Sequence, residues 1–410
     1  MKKLLVIGYV WPEPDSSAAG RYMLNLLNFF LKLGYEISFA SPAAESEHRF
    51  AFEELGITKV DIKLNSSCFD DYIQTLKPDV VLFDRFMMEE QFGWRVKKYC
   101  PDALRILDLE DLQCLRKARH IALKQNRSVE SEDFLEDIAL REIAAVWRSD
   151  MALVISRYEM ELLTGQFGVP SDKLFYLPFT IQASPQKAQL LAFEQKQHFI
   201  CIGNFRHEPN WDAVLFLKEE IWPLIRKQLK QAELHIYGAY PPKKATQLDN
   251  KKQGFLIKGW AQDAMQVMSQ ARVCLAPLRF GAGLKGKLFE AMLAGTPSVT
   301  TDIGAEAMSA NLMWPGFIAN NAEAIANAAV ALYQNESEYR HYQAAGLKII
   351  QTEYLTELYF TDFAERIEKL LFDLNGHRAK NFTGAMLMHH TMKSTQYMAQ
   401  WIEAKNKLSD

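Results

Sequence analysis

Cysteine is scarce in this chain: five residues in 410 (Cys68, Cys100, Cys114, Cys201, Cys274), with no CxxC pair. Their odd number and wide spacing exclude a disulfide framework and a zinc cluster, and suggest a reducing, cytosolic setting. Long apolar runs are absent too. No window reaches the roughly 18 residues that a bilayer span needs. The first apolar stretch ends at Trp11-Pro12-Glu13 without a small-residue cleavage site, which argues against a signal peptide. Neither sign of charge is in excess. Lys and Arg number 47 against 50 Asp and Glu, a net charge of −3 with a pI near 6.3, which excludes a dedicated nucleic-acid binder. The 20 Gly and 15 Pro show no period, and no short repeat is present. What remains is ordinary globular composition, with 49% hydrophobic and 24% charged residues, on a length that suggests two or three domains.

Short apolar runs alternate with longer amphipathic ones, the pattern of parallel βαβ units. Leu4–Val10 reads as a buried strand, followed by a loop to Gly20 and a helix from about Arg21 to Leu33, closed by Gly34. Strands are expected at Glu36–Ser41, Lys59–Leu64, Val80–Phe83, Leu104–Leu107 and Ala152–Ile155, with one long helix over Ser128–Trp147. Pro178–Gln197 has no strand pattern and reads as a linker. A second series follows at His198–Ile202, Leu234–Tyr237, Phe255–Ile257, Val273–Ala276, Ser298–Thr301 and Phe317–Ala319. The expected fold is therefore α/β, with two Rossmann-like doubly wound domains. Their ligand cleft should lie at the carboxyl ends of the strands. A long helix over Tyr354–Leu374 and a Met-rich helical tail would complete the chain.

The most informative run is Phe280–Glu306, FGAGLKGKLFEAMLAGTPSVTTDIGAE. It follows a strand and opens a helix. Gly281, Gly283 and Gly286 allow close backbone approach, and Lys285 and Lys287 add charge beside a helix N-terminus that already favours anions. The combination suits a diphosphate cradle, although a glycine-rich loop with two solvated lysines reads equally well from local features. It is not a Walker A loop, which needs Gly-Lys-Ser/Thr. In the first half, Ser16, Ser17 and Gly20 precede a helix, which suits a phosphate or an acceptor as well as a plain serine cap. Asp84-Arg85 and Asp108, Glu110 and Asp111 follow strands, where a carboxylate can orient or deprotonate a hydroxyl, or merely form a surface ion pair. His120 and the pair His389-His390 lack metal-ligand spacing, and no DxD motif follows a strand, so no metal is expected.

The segment Phe289-Glu290-Ala291-Met292-Leu293-Ala294-Gly295-Thr296-Pro297-Ser298-Val299, after its glycine loop, resembles the donor-binding motif of family 4 (group 1 type) glycosyltransferases, which have the GT-B fold. Gly203-Asn204-Phe205, Pro209-Asn210-Trp211-Asp212-Ala213 and Leu234-His235-Ile236-Tyr237-Gly238 are similar to further pieces in the same order. Asp108-Leu109-Glu110-Asp111 with Leu115-Arg116 resembles a subgroup segment. The resemblance is tight from 203 to 306 and looser before it. It implies a first domain (1–180) on the acceptor side, a linker (181–197), a donor domain (198–353), a helix crossing back onto the first domain (354–375), and a helical tail (376–410). It also implies hexosyl transfer from a nucleotide-diphosphate sugar to an acceptor hydroxyl, with retention and without a metal or other cofactor. The acceptor would be a glycan, a lipid-linked molecule or a protein.

The resemblance further implies donor contacts from Gly203, Asn204, Gly281, Gly283, Leu284, Gly286, Glu290 and Glu306, with Glu290 on the ribose hydroxyls. Two departures stand out. Ala282 occupies the place of the first of two family glutamates, and Asn204 replaces a family arginine. Arg279, Lys285 and Lys287 are then the expected catalytic cations, with Arg206 as an outside candidate and Asp111 as the catalytic carboxylate. Ser16, Ser17, Gly20 and Asp84 form the expected acceptor or phosphate loop. The same departures keep open a catalytically inactive nucleotide-sugar-binding or scaffold protein of this fold. A GT-B epimerase or phosphorylase is a weaker reading. Met386, Met388, Met392, Tyr397, Met398 and Trp401 put three placements before the tail: packing on its own domain, a homodimer interface, or a membrane surface, the last ranked lowest. The expected location is cytoplasmic, with a peripheral position on the inner face of the membrane left open.

Overall fold

The computed structural model describes residues 1–182 and 190–407. Part of the expected linker and the last three residues of the tail lie outside these, as do the side chains of His390 and Met392. β1 (Lys3–Ile7), β2 (Glu36–Ser41), β3 (Thr58–Asp61), β4 (Val80–Asp84), β5 (Leu104–Asp108), β6 (Met151–Val154) and β7 (Leu174–Tyr176) form one parallel sheet in the order β3-β2-β1-β4-β5-β6-β7. β1 pairs on both sides, with Leu4 opposite Ile37 and Val80. Leu4 and Val6 therefore face one apolar layer, while Leu5 and Ile7 face the other. This double burial explains why β1 and β4 read as unbroken apolar runs. β7 escapes the sequence reading because three residues carry too little pattern. The helix Ala18–Lys32 begins one turn earlier than expected, where the Ser17 hydroxyl accepts from the Gly20 N–H at 3.0 Å. It ends as read at Gly34, whose φ of 77° only glycine takes without strain.

The second sheet is built from β8 (Gln197–Ile202), β9 (Leu234–Tyr237), β10 (Phe255–Gly259), β11 (Ala271–Ala276), β12 (Ser298–Thr300) and β13 (Gly316–Ile318), in the order β10-β9-β8-β11-β12-β13. In each sheet the order reverses beside the first strand, and a crevice forms at that point outside the carboxyl ends. The single helix expected over Ser128–Trp147 is two pieces. A short turn at Ser131–Leu135 is pinned by Arg127 to Asp133 at 2.6 Å, and a helix follows at Asp137–Arg148.

The helix Glu336–Glu353 ends at Tyr354, where the chain returns to the first domain: the Ile181 N–H donates to the Tyr354 carbonyl at 2.8 Å. The next helix, Glu357–Phe372, lays Phe360 flat on Phe29 (5.4 Å) and sets Phe363 edge-on to Phe29 and Phe30 (both 5.7 Å). Asn375, Gly376 and His377 come next. These residues lie in a helix (Leu374–Ala379) that the Asp373 carboxylate caps by accepting from the Gly376 N–H at 3.0 Å. The tail helix Phe382–Lys407 packs on its own first domain through Met388, Ala399 and Trp94, with Asn381 Nδ2 donating to the Trp147 carbonyl at 2.7 Å. Its other side exposes Phe382, Tyr397 and Trp401. Among the described residues no helix is long and apolar enough to cross a membrane.

Candidate active site

Two helix N-termini meet between the sheets. One opens Ala18–Lys32 after the β1 loop; the other opens Gly286–Leu293 after the β11 loop. A Cβ on Gly286 would stand 2.2 Å from the Cβ of Ala18, so only glycine lets the two ends touch. Around this contact lies a cavity of about 520 Å³. It is lined by residues drawn from segments that follow strand ends in both sheets: Tyr9 to Arg21 after β1, Arg85 after β4, Glu110 and Asp111 after β5, Gly203 to Asn210 after β8, Gly238 after β9, Trp260 after β10 and Leu278 to Glu290 after β11.

Hydrogen bonds close the seam between the domains. Glu159 Oε1 accepts from the Gly283 N–H at 2.7 Å and from the Leu112 N–H at 3.0 Å, which ties the glycine loop to the first domain. Burial and the neighbouring Asp111 push the Glu159 carboxyl up to about 8. Arg119 donates to the Gly281 carbonyl at 2.8 Å and forks onto Glu306 at 2.6 and 3.0 Å. Arg21 reaches Glu290 at 2.8 Å, Tyr240 reaches Glu13 at 3.0 Å, and His48 stacks on Trp260 at 4.3 Å.

Of the expected site residues, Ser16, Ser17, Asp111, Gly203, Asn204, Gly281, Leu284, Lys285, Gly286, Lys287 and Glu290 line the cavity. Five do not. Arg279 turns away to fork onto Asp212 at 2.6 and 2.9 Å, over the ring of Phe216. Glu306 is taken up by Arg119, and the Gly283 N–H by Glu159. Asp84 lies beneath the floor, accepting from the Tyr9 N–H at 2.9 Å. Gly20 is structural, since a Cβ there would stand 2.5 Å from the Glu13 backbone. Sequence reading gave no site role to Arg21, Arg85, Arg116 or Glu159. Arg21 opens a helix, Arg85 directly follows a strand and Arg116 belongs to the subgroup segment, so these three carry a local signal, and Glu159 carries none.

Six cationic side chains line the cavity (Arg21, Arg85, Arg116, Arg206, Lys285, Lys287) against four carboxylates (Asp15, Glu110, Asp111, Glu290), an excess of two positive charges. Lys287 donates to Asn210 Oδ1 at 2.7 Å, and Arg206 lies over the ring of Tyr240 at 3.7 Å. Lys285 is buried and bent back onto the Ala282 and Gly283 carbonyls, and burial lowers its pKa to about 8. Burial drives His207 down to about 4, leaving a neutral imidazole. Burial alone would raise Asp111, but the combined attraction of Arg116, with which it pairs, and its other cationic neighbours outweighs it and holds the carboxyl below its usual range. The arrangement suits a dianion anchored between two helix ends.

Residues 196–335 match the family model described as Glycosyl transferases group 1. This second unit is similar to group 1 glycosyl transferase domains. No curated protein sequence matches the chain. Solved structures match over nearly its full length. Sucrose-phosphate synthase from Thermosynechococcus elongatus is 13% identical with a TM-score of 0.64, covering 90% of this chain and 99% of its own. S. aureus TarM, in complex with fondaparinux, alpha-GlcNAc-glycerol and UDP, is 10% identical with a TM-score of 0.68, covering 90% and 100%. Anabaena HepE, in complex with UDP and glucose, is 12% identical with a TM-score of 0.65, again covering 90% and 100%. The fold of the chain is GT-B.

Proposed function

We propose that this protein transfers a hexosyl group from a nucleotide-diphosphate sugar to an acceptor hydroxyl, with retention and without a metal. The observation that carries this reading is the excess of two positive charges where the two helix N-termini abut. In the reaction the acceptor oxygen bonds to the anomeric carbon, the bond from that carbon to the diphosphate oxygen breaks, and its electron pair stays on the diphosphate. Lys287, Arg206 and the N-terminus of Gly286–Leu293 face that growing charge, and preorganised donors of this kind lower the barrier more than any other single effect in many enzymes. Among the described residues no group of three His, Cys, Asp or Glu side chains is placed to hold a metal ion. The UDP in the TarM and HepE structures supports a nucleotide diphosphate as the dianion. The acceptor is a glycan, a lipid-linked molecule or a protein, met from the side of Tyr9, Arg85 and Glu110. The reaction belongs in the cytoplasm.

Glu290, at the first turn of its helix, is the candidate for the ribose hydroxyls. Burial raises its pKa against the pull of Arg21. Glu290→Ala should weaken nucleoside diphosphate binding by about 1–3 kcal/mol, through hydroxyls left without their acceptor. Calorimetry with UDP and GDP measures this, and unchanged affinity for both would remove the assignment. A second reading, an inactive nucleotide-sugar-binding or scaffold protein, rests on Asn204 and Ala282. Incubation with a panel of nucleotide sugars separates the two. Slow hydrolysis supports transfer, whereas binding without turnover in the presence of diverse acceptors supports the scaffold.

A further inference from the structure

Two residues on adjacent strand ends hold backbone conformations that non-glycine residues rarely adopt. β4 and β5 run in register, with Asp84 opposite Asp108. One step past β4, Arg85 has φ of 67°; two steps past β5, Glu110 has φ of 61°. Such strain persists where the surroundings over-determine it, and it clusters at functional sites. Here the Arg85 N–H donates to the Asp108 carbonyl at 2.8 Å, and the Glu110 N–H donates to Asp108 Oδ1 at 3.2 Å. The two side chains are thereby aimed into the cavity, which both line.

The charge around them is unequal. Asp111 has Arg116 as its own partner, and Glu290 has Arg21. Arg85 instead divides its guanidinium, with one nitrogen 3.3 Å from Asp84 and another 3.3 Å from Glu110. Asp108 lies directly below, fully buried, with Oδ2 lacking any hydrogen-bond partner. One cation thus faces three carboxyls, and among these only Glu110 opens onto the cavity.

We propose that Glu110 is the base that takes the proton of the attacking hydroxyl, with Arg85 as the residue that positions it. The proposal rests on the transfer reading above. As the acceptor oxygen bonds to the anomeric carbon and the diphosphate departs with its electron pair, the O–H proton passes to a Glu110 oxygen and from there to solvent. Burial pushes the Glu110 carboxyl up to about 7 against the pull of Arg85, with Asp84 and Asp111 adding to the rise. Asp108 faces it from the same segment and Tyr22 from the helix after β1, while Lys285 and His207 line the cavity from the second domain. A base poised there works at neutral pH.

The test uses the full chain and a panel of UDP- and GDP-sugars, with water as the acceptor and hydrolysis as the readout. Wild type should show an acid limb near pH 7. Glu110→Gln should lose that limb and about a hundredfold in rate, while the UDP or GDP dissociation constant stays within about twofold. Arg85→Met should move the limb to higher pH, because the guanidinium is what holds the carboxyl down. If Glu110→Gln does not fold, the shift in Arg85→Met and a retained limb in Glu110→Asp carry the same test. Wild-type rate and an unchanged limb in Glu110→Gln, or an unshifted limb in Arg85→Met, overturn the role of Glu110 and leave the transfer reading standing. Absence of nucleotide binding or of any turnover in wild type overturns both.

Discussion

Lys287→Met should lower kcat by about 10²–10³ and leave the affinity for a nucleoside diphosphate within a few-fold of wild type. Lys287 lies in the first turn of the helix Gly286–Leu293 and lines the cavity, where its ammonium has a neutral partner, Asn210 Oδ1 at 2.7 Å. Among the described residues no carboxylate forms an ion pair with it, so its charge faces the cavity. The bound donor already carries a diphosphate, and a further negative charge develops only as the glycosidic oxygen departs. A cation that meets this increment stabilises the transition state more than the ground state. Lys285 should behave differently. Its ammonium is spent on the Ala282 and Gly283 carbonyls and holds the loop in shape, so Lys285→Met should weaken binding and turnover together. Single-turnover kinetics beside calorimetry distinguish the two patterns. Wild-type kcat in both variants would move the cationic role to Arg206 or Arg21.

The donor half of the site is legible in the sequence because one strand, loop and helix carry most of it. Gly281 to Glu290 are contiguous, so a local motif is enough to find them. Arg279 shows where such reasoning fails. It adjoins the motif, yet the carboxylate of Asp212 on another helix outcompetes the cleft for its guanidinium. The first-domain half is scattered. Arg85, Glu110, Arg116 and Glu159 are spread along the chain, and only the strand order β1-β4-β5-β6 brings them to one edge. Glu159 has no motif at all; its function in the seam depends on Gly283 in the other domain, which no local pattern connects to it. The sheets themselves were readable because central parallel strands are apolar on both faces. β7 is too short to carry a pattern, and the turn at Ser131–Leu135 is fixed by the local pairing of Arg127 with Asp133.

Lys196→Met should destabilise the fold by about 2–4 kcal/mol, through the loss of buried hydrogen bonds in a site that water does not reach. Lys196 is fully buried just before β8. Its Nζ donates to the Ala294 and Gly295 carbonyls at 3.1 and 3.0 Å and to Thr296 Oγ1 at 2.8 Å. These acceptors close the C-terminal end of the helix Gly286–Leu293, where the dipole favours a cation. Gly295 O keeps Tyr339 and Gln343 as donors in the variant, whereas the Ala294 carbonyl loses this one. Burial lowers the Lys196 pKa from the ordinary 10.5 to about 7. Between those values the unfolded chain binds a proton that the folded chain lacks, so this residue's contribution to stability rises with pH through that window and falls as pH drops toward 7. Methionine removes the group from both states. The deficit of the variant should therefore be larger at about pH 9.5 than at about pH 7, as read by chemical denaturation of both proteins at each pH. An equal deficit at the two pH values would mean that the buried amine keeps its proton, held there by its three acceptors.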